Sequence, residues 1–238
     1  MRRPDYDPRV PQVKLEGFHA VKHAVRFGAR VERVVVLDRD SALRLARSHA
    51  PDLVAVFGAA EVVPVAEFER VVGRTHPTGV GGVAAGPVGP EVRRDAPVVL
   101  LDNPRNLGNL GAVVRVAAGF GAGGVWSTGD VDPWHPTVVR AGAGLHFAVP
   151  VARLTGGLED VDGPVVAFDA GGVDVRDFRV PDDAVLAFGS ERHGLSDAVR
   201  GRADVVVSLP MRPGVSSYNL TTSVAMALYH WELFRRDR

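Results

Sequence analysis

Val98-Val99-Leu100-Leu101 is a run of four apolar residues with no polar alternation, and it constrains the fold more than any other stretch. A strand with one wet face alternates apolar and polar residues. A continuous apolar run suits a strand covered on both faces, as in a parallel sheet packed between helices. Similar short runs recur near Gly124 to Ser127, Phe147 to Val149, Val165 to Asp169, Ala184 to Phe188 and Val205 to Leu209. Helical or loop segments separate them, with a helix expected from about Gly111 to Gly119 and another from Val224 to Phe234. This alternation predicts an α/β fold with a mostly parallel sheet. Ligands in such sheets bind outside the carboxyl ends of the strands. Three segments fall there: 102–115, 189–196 and 209–221.

Gly86-Pro87-Val88-Gly89-Pro90 is the best domain boundary in the chain. Before it, helix and strand signals alternate in short lengths: a helix over about 17–28, a strand from Val31 to Leu37 and a helix from Ser41 to Ser48. A short strand from Val62 to Val65, a helical turn from Phe68 to Val72 and a strand from Val80 to Ala85 follow. The reading is a small N-terminal α/β module over residues 1–90, whose first ten residues form a flexible tail, and a second module over 96–238. A length of 238 residues and 46% hydrophobic content suffice for two cores.

The absence of cysteine excludes disulfides, thiolate zinc sites and cysteine nucleophiles. No apolar run has transmembrane length and the start is not signal-like, so a soluble cytoplasmic protein is expected. A net charge of zero argues against wholesale coating of nucleic acid, yet residues 1–50 carry about +5 and the rest −5. Lys14, Lys22, Arg26 and Arg30, with His19 and His23 among them, surround one short helix. Such a stripe can track phosphates, or it can be a solvated helix face.

In the first segment, Gly108 and Gly111 permit tight turns, Asn109 is placed to cap the helix, and Arg115 interrupts an apolar helical run. That arginine needs an anionic partner or a site, so a buried salt bridge and a functional role both remain open. Asp130 lies about 20 residues on, but the glycine spacing is wrong for a dinucleotide fingerprint. The second segment, from Ala187 to Ser196, is a strand, a glycine turn and the carboxylate Glu191; His193 reads as a solvated loop residue. In the third, an apolar strand end at Leu209 runs through Pro210 to Gly214 into Ser216, Ser217, Asn219 and Thr221, groups that can cap a helix or face a ligand.

Together the segments resemble the three motifs of the SpoU (TrmH-like) family of RNA ribose methyltransferases in the SPOUT superfamily. The first is similar to Asn106–Arg115, the second to Phe188–Ser196, and the third to Leu209-Pro210-Met211 followed by Ser216–Leu220. Order and spacing match over about residues 98–234. The N-terminal module resembles the RNA substrate-binding domain that precedes the catalytic domain in many members. The resemblance implies a SPOUT α/β domain with a parallel sheet and a deep trefoil knot, S-adenosylmethionine as cofactor, no metal, and a homodimer with each site near the interface. It implies methyl transfer to a ribose 2′-hydroxyl of structured RNA, ribosomal RNA favoured. Transfer RNA, or a noncatalytic RNA-binding protein on the same fold, are the alternatives.

Carried over by motif position, Arg115, Asn109, Glu191, Ser217 and Asn219 are the catalytic group. Arg115 would bind a phosphate and stabilise alkoxide charge, since a guanidinium stays protonated. Asn109 would orient the ribose or Arg115, Glu191 would hold the loops, and Ser217 with Asn219 would line the reacting centre. Gly189, Leu209 and Tyr218 would contact the cofactor, and Arg140, Lys22 and Arg26 would contact RNA. The chain departs from the family pattern twice: Tyr218 stands where leucine is usual, and Arg192 where glycine follows the motif's glutamate.

Overall fold

A computed structural model describes residues 12–86, 91–158 and 161–235. The N-terminal tail and nearly all of the Pro/Gly stretch before Glu91 lie outside the described residues. The chain forms two compact units: residues 12–86 with 134–148, and residues 91–133 with 149–235.

The first unit is built on a four-stranded sheet of β1 (Gln12–Glu16), β2 (Val31–Val36), β3 (Glu61–Val62) and β4 (Val80–Ala85), in the order β1-β4-β2-β3. β4 runs antiparallel to both its neighbours, and β2 pairs with β3 in parallel. Helices α1 (Phe18–Arg26), α2 (Arg39–His49), α3 (Val54–Gly58) and α4 (Val65–Val72) complete it. α2 starts two residues earlier than Ser41 because the Asp38 carboxylate accepts the Ser41 N–H at 2.7 Å, a side-chain cap.

Residues 134–148 pack with this unit, although they are distant in sequence. They carry α6 (Pro136–Ala141). Gly144 shows how close the approach is: its φ is +73°, and a Cβ there would meet the Ala20 carbonyl oxygen at 2.6 Å. The His23 ring bonds the Ala143 carbonyl at 2.7 Å. The Arg140 guanidinium donates to Glu16, a carboxylate only 6% exposed.

The second unit holds six parallel strands in the order β10-β8-β9-β5-β6-β7. They are β5 (Val98–Leu101), β6 (Gly124–Ser127), β7 (Val151–Arg153), β8 (Val165–Asp174), β9 (Val185–Phe188) and β10 (Val205–Ser208). The apolar run Val98 to Leu101 sits near the middle, fully buried, with Val98 opposite Gly124 on one side and Val185 on the other. Its burial on both faces is what the lack of alternation anticipated. Burying each such Val or Leu side chain contributes about 1.5–3 kcal/mol.

Three helices serve this sheet. α5 (Leu107–Phe120) begins four residues before Gly111, because Asn106 and not Asn109 is its cap; the Asn106 Oδ1 accepts the Asn109 N–H at 3.0 Å. α7 (Asp197–Arg202) is capped by Ser196, and α8 (Leu220–Arg235) packs against α5. α8 buries Val224, Ala227, Leu228 and Trp231, while Tyr229, Leu233 and Phe234 are exposed. Trp231 Nε1 donates to Asp182 at 2.9 Å.

One expected strand moves. Residues 145–147 form a 3₁₀ turn, and the strand lies at Val151–Arg153. Pro150 has no N–H for a ladder, so pairing starts after it, although its carbonyl still accepts from Val125 at 2.8 Å.

Candidate active site

The three segments singled out by sequence converge at the carboxyl ends of β5, β9 and β10. β5 is followed by Asp102, which is buried. Its carboxylate accepts the Ser196 N–H at 2.6 Å and the Thr128 hydroxyl at 3.0 Å. One acid therefore ties the loops that follow β5, β6 and β9. Sequence reasoning passed over Asp102; the available signal was an acid placed directly after a doubly buried strand.

The loop after β9 is a closed turn. Ser190 and Gly194 exchange backbone hydrogen bonds at 3.0 Å in both directions. The turn requires glycine at 189, where a Cβ would lie 2.1 Å from the Gly194 carbonyl carbon. Gly194 itself has φ of +66°. Glu191, Arg192 and His193 stand on the tip of this turn and are exposed.

Asn109 joins all three segments. Its Nδ2 donates to Glu191 Oε1 at 2.8 Å. A carboxylate only accepts, so the Asn109 amide oxygen must face the other way, and it accepts from Asn219 Nδ2 at 3.2 Å. The Asn219 Oδ1 accepts the Thr221 N–H at 2.9 Å, and the Thr221 hydroxyl donates to the Asn109 carbonyl at 3.3 Å. Asn219 thus caps the start of α8 and belongs to the network as well. Asn106 was not singled out as a cap by sequence; it is a short polar residue at a helix start, which is the signal that identifies caps.

Beside this network lies a cavity of about 490 Å³, within the range of small-molecule sites. Phe188, Gly189, Leu209, Met211, Ser217 and Tyr218 are among its lining residues, together with Glu191, Asn219 and Asp169. Phe168 stacks on Phe188 with ring centroids 4.7 Å apart, firming the wall. The Tyr218 hydroxyl donates to the Pro210 carbonyl at 2.9 Å, which closes the 210–218 loop on itself. Of the residues expected at the cofactor, Gly189, Leu209 and Tyr218 all line this cavity.

Arg115 is exposed on α5, and among the described residues its guanidinium has no hydrogen bond or ion pair. The buried salt bridge is therefore overturned as its explanation. The residues expected to contact RNA from the first unit behave differently. Lys22 is only 9% exposed, Arg26 makes two hydrogen bonds to Asp52, and Arg140 is paired with Glu16. The charges of Arg26 and Arg140 are thus matched by carboxylates of that unit, and Lys22 is buried in it. Among the described residues, no cluster of metal-ligating side chains occurs and no helix is long and apolar enough to cross a membrane.

The family model "SpoU rRNA Methylase family" matches residues 96–229. The chain is 34% identical over 151 residues to the 23S rRNA (uridine(2479)-2′-O)-methyltransferase of Streptomyces viridochromogenes, covering 58% of this chain and 53% of that one. It is 34% identical over 151 residues to the 23S rRNA (adenosine(1067)-2′-O)-methyltransferase of Streptomyces laurentii, covering 56% and 52%. The chain thus spans about half the length of these relatives. Its fold is similar to the crystal structure of the SpoU methyltransferase AviRb from Streptomyces viridochromogenes in complex with AdoMet. The TM-score there is 0.75 at 26% identity, covering 97% of this chain and 93% of that one.

Proposed function

We propose, because this chain belongs to the SpoU rRNA methylase family, that it transfers a methyl group from S-adenosylmethionine to a ribose 2′-hydroxyl of structured RNA, with ribosomal RNA as the substrate. One geometry supports this above the rest: Asn109 bonds Glu191 and Asn219 at the rim of a partly apolar cavity. That joins a ribose-sized polar rim to a pocket of cofactor size.

The pocket suits the cofactor chemically. Leu209, Met211 and Leu220 offer apolar walls to an adenine, and the Glu191 carboxylate, bonded only to the neutral Asn109 amide, offers negative charge to a sulfonium. Bound S-adenosylmethionine supplies an already activated methyl. The protein's share is then to orient the hydroxyl and to stabilise charge as its proton leaves. Asn109, held at both ends of its amide, orients the ribose. Glu191 fixes Asn109, and Ser217 with Asn219 lines the reacting centre. Arg115, unpaired and permanently charged, binds the adjacent phosphate and stabilises the developing alkoxide.

The same reading includes a deep trefoil knot in the C-terminal part of the second unit and a homodimer acting in the cytoplasm, with the first unit holding RNA. The convergence of 189–195 and 209–220 on one cavity is consistent with the knot, and the exposed Tyr229, Leu233 and Phe234 of α8 suit a pairing face. Light scattering on the purified chain measures the oligomer directly.

The deciding experiment incubates the protein with labelled S-adenosylmethionine and separate pools of ribosomal RNA, partly assembled ribosomal subunits and transfer RNA. Label in ribosomal RNA that maps to an alkali-resistant linkage is the expected result. Label in transfer RNA alone reassigns the substrate. No transfer to any pool overturns the methyltransferase reading.

A further inference from the structure

The second unit contains arginines of two kinds. Those away from the motif segments are engaged: Arg94 donates to the Asp162 and Asp183 carbonyls, Arg176 pairs with Asp174, and Arg200 with Asp169. Arg105, Arg115, Arg192 and Arg212 have no intramolecular partner among the described residues, and all four stand on the three converging segments. An arginine is strongly stabilised by acceptors it can fork onto, and acidic residues are as numerous as basic ones in this chain. Within this unit the unpaired arginines fall on these segments, which leaves all four available to an external anion.

Two of the four face a common pocket. Arg105, Asn106, Ser190, Glu191, Arg192 and His193 line a cavity of about 570 Å³, separate from the cofactor cavity but sharing Ser190 and Glu191 with it. Its walls are held in place. Asn106 is fixed as the cap of α5, Ser190 by its exchange with Gly194, and His193 by its N–H to the Ser190 hydroxyl at 3.3 Å. The Glu191 carboxylate, the one acid in the lining, is already engaged by Asn109. With His193 neutral the lining carries a net charge of +1.

We infer that Arg105 and Arg192 form a cradle for a backbone phosphate of the target RNA strand, on the far side of Glu191 from the cofactor cavity. This rests on the methyltransferase reading and adds to it a named anchor for the strand. Glu191 then divides two sites, and through Asn109 it couples them: a phosphate held by Arg105 and Arg192 fixes the nucleotide whose ribose meets the Asn109 amide. Arg192 is the specific element, since it stands on a rigid turn whose ends are pinned by glycines at 189 and 194.

The test compares the full chain with Arg105→Ala, Arg192→Ala and the double variant, using in vitro transcribed 23S ribosomal RNA over a salt series and calorimetry with S-adenosylmethionine. The double variant is expected to raise KM for RNA about tenfold and to flatten the log–log salt dependence of RNA binding by about one. Cofactor affinity should stay within about twofold of the parent, because neither arginine lines that cavity. Arg192→Lys should restore part of the salt slope. Methyl transfer by the parent protein with unchanged KM and slope in the double variant overturns the cradle alone. A weakened cofactor affinity in the double variant also overturns it, since that marks a collapsed turn. No transfer by the parent protein overturns the methyltransferase reading and the cradle with it.

Discussion

The two units use the same side chain in opposite ways. In the four-stranded unit most of the described arginines are matched by a carboxylate of the same unit. Arg33 is shared by Glu61 and Glu67, Arg26 is bonded to Asp52, and Arg74 and Arg140 converge on Glu16. Arg39 and Arg44 bond only a backbone carbonyl and a serine hydroxyl, and Arg47 has no partner among the described residues. In the six-stranded unit the arginines on the motif segments are left open. Counting basic residues would rank the N-terminal region as the anionic-ligand surface, since residues 1–50 carry about +5. Pairing reverses that ranking, because a charge already matched by a carboxylate gives little net attraction to a phosphate.

The contrast is broken or sharpened most strongly at Arg115. Arg115→Ala should lower methyl transfer roughly 10²- to 10³-fold, as removal of one oxyanion-stabilising donor does elsewhere. Cofactor binding by calorimetry should be unchanged. Full activity in Arg115→Lys would reduce its role to that of a point charge. Next in size, Arg140→Ala leaves Glu16 buried with only Arg74, 3.9 Å away, as a counter-charge. It should cost up to about 3 kcal/mol of stability, read from denaturant unfolding. An unchanged midpoint would mean Arg140 is not a structural arginine.

Smaller still, Arg26→Ala should change RNA affinity by less than about twofold, because Asp52 already holds that guanidinium. A tenfold loss in a filter-binding assay would abolish the distinction between paired and open arginines.

The smallest effect is a pH dependence of the first unit. Burial pushes the His76 pKa below its usual 6.5, outweighing the attraction of Glu16. His76 Nδ1 accepts the Thr78 N–H at 3.2 Å, which requires the neutral ring. The unfolded chain therefore takes up the proton first. Stability is intact above about pH 6.5 and falls as pH drops through the depressed native value. His76→Gln keeps an acceptor and should flatten Tm between pH 8 and 5; an identical profile in both proteins would remove His76 as the cause.

Much of this site was legible in the sequence, and the illegible parts have a common cause. Val98 to Leu101 announced a doubly buried strand because lack of alternation is a local property. Asn109, Glu191 and Asn219 were legible as motif positions, and the structure joins them through two hydrogen bonds. The cap was misplaced by three residues because Asn106 and Asn109 have equal intrinsic preference for that role, and the choice follows from where the Asn109 side chain is needed. Asp102 was invisible because the two partners of its carboxylate, Thr128 and Ser196, come from loops 26 and 94 residues away.

The sequence by itself determined the α/β class, the parallel strands and the three polar segments at their carboxyl ends, all of which follow from periodicity and residue type along the chain. Only the tertiary structure decided that residues 134–148 pack with the N-terminal sheet, that Asn109 bridges two other segments, and which arginines remain open. Pairing depends on distance in space between residues far apart in the chain, and no local pattern encodes it.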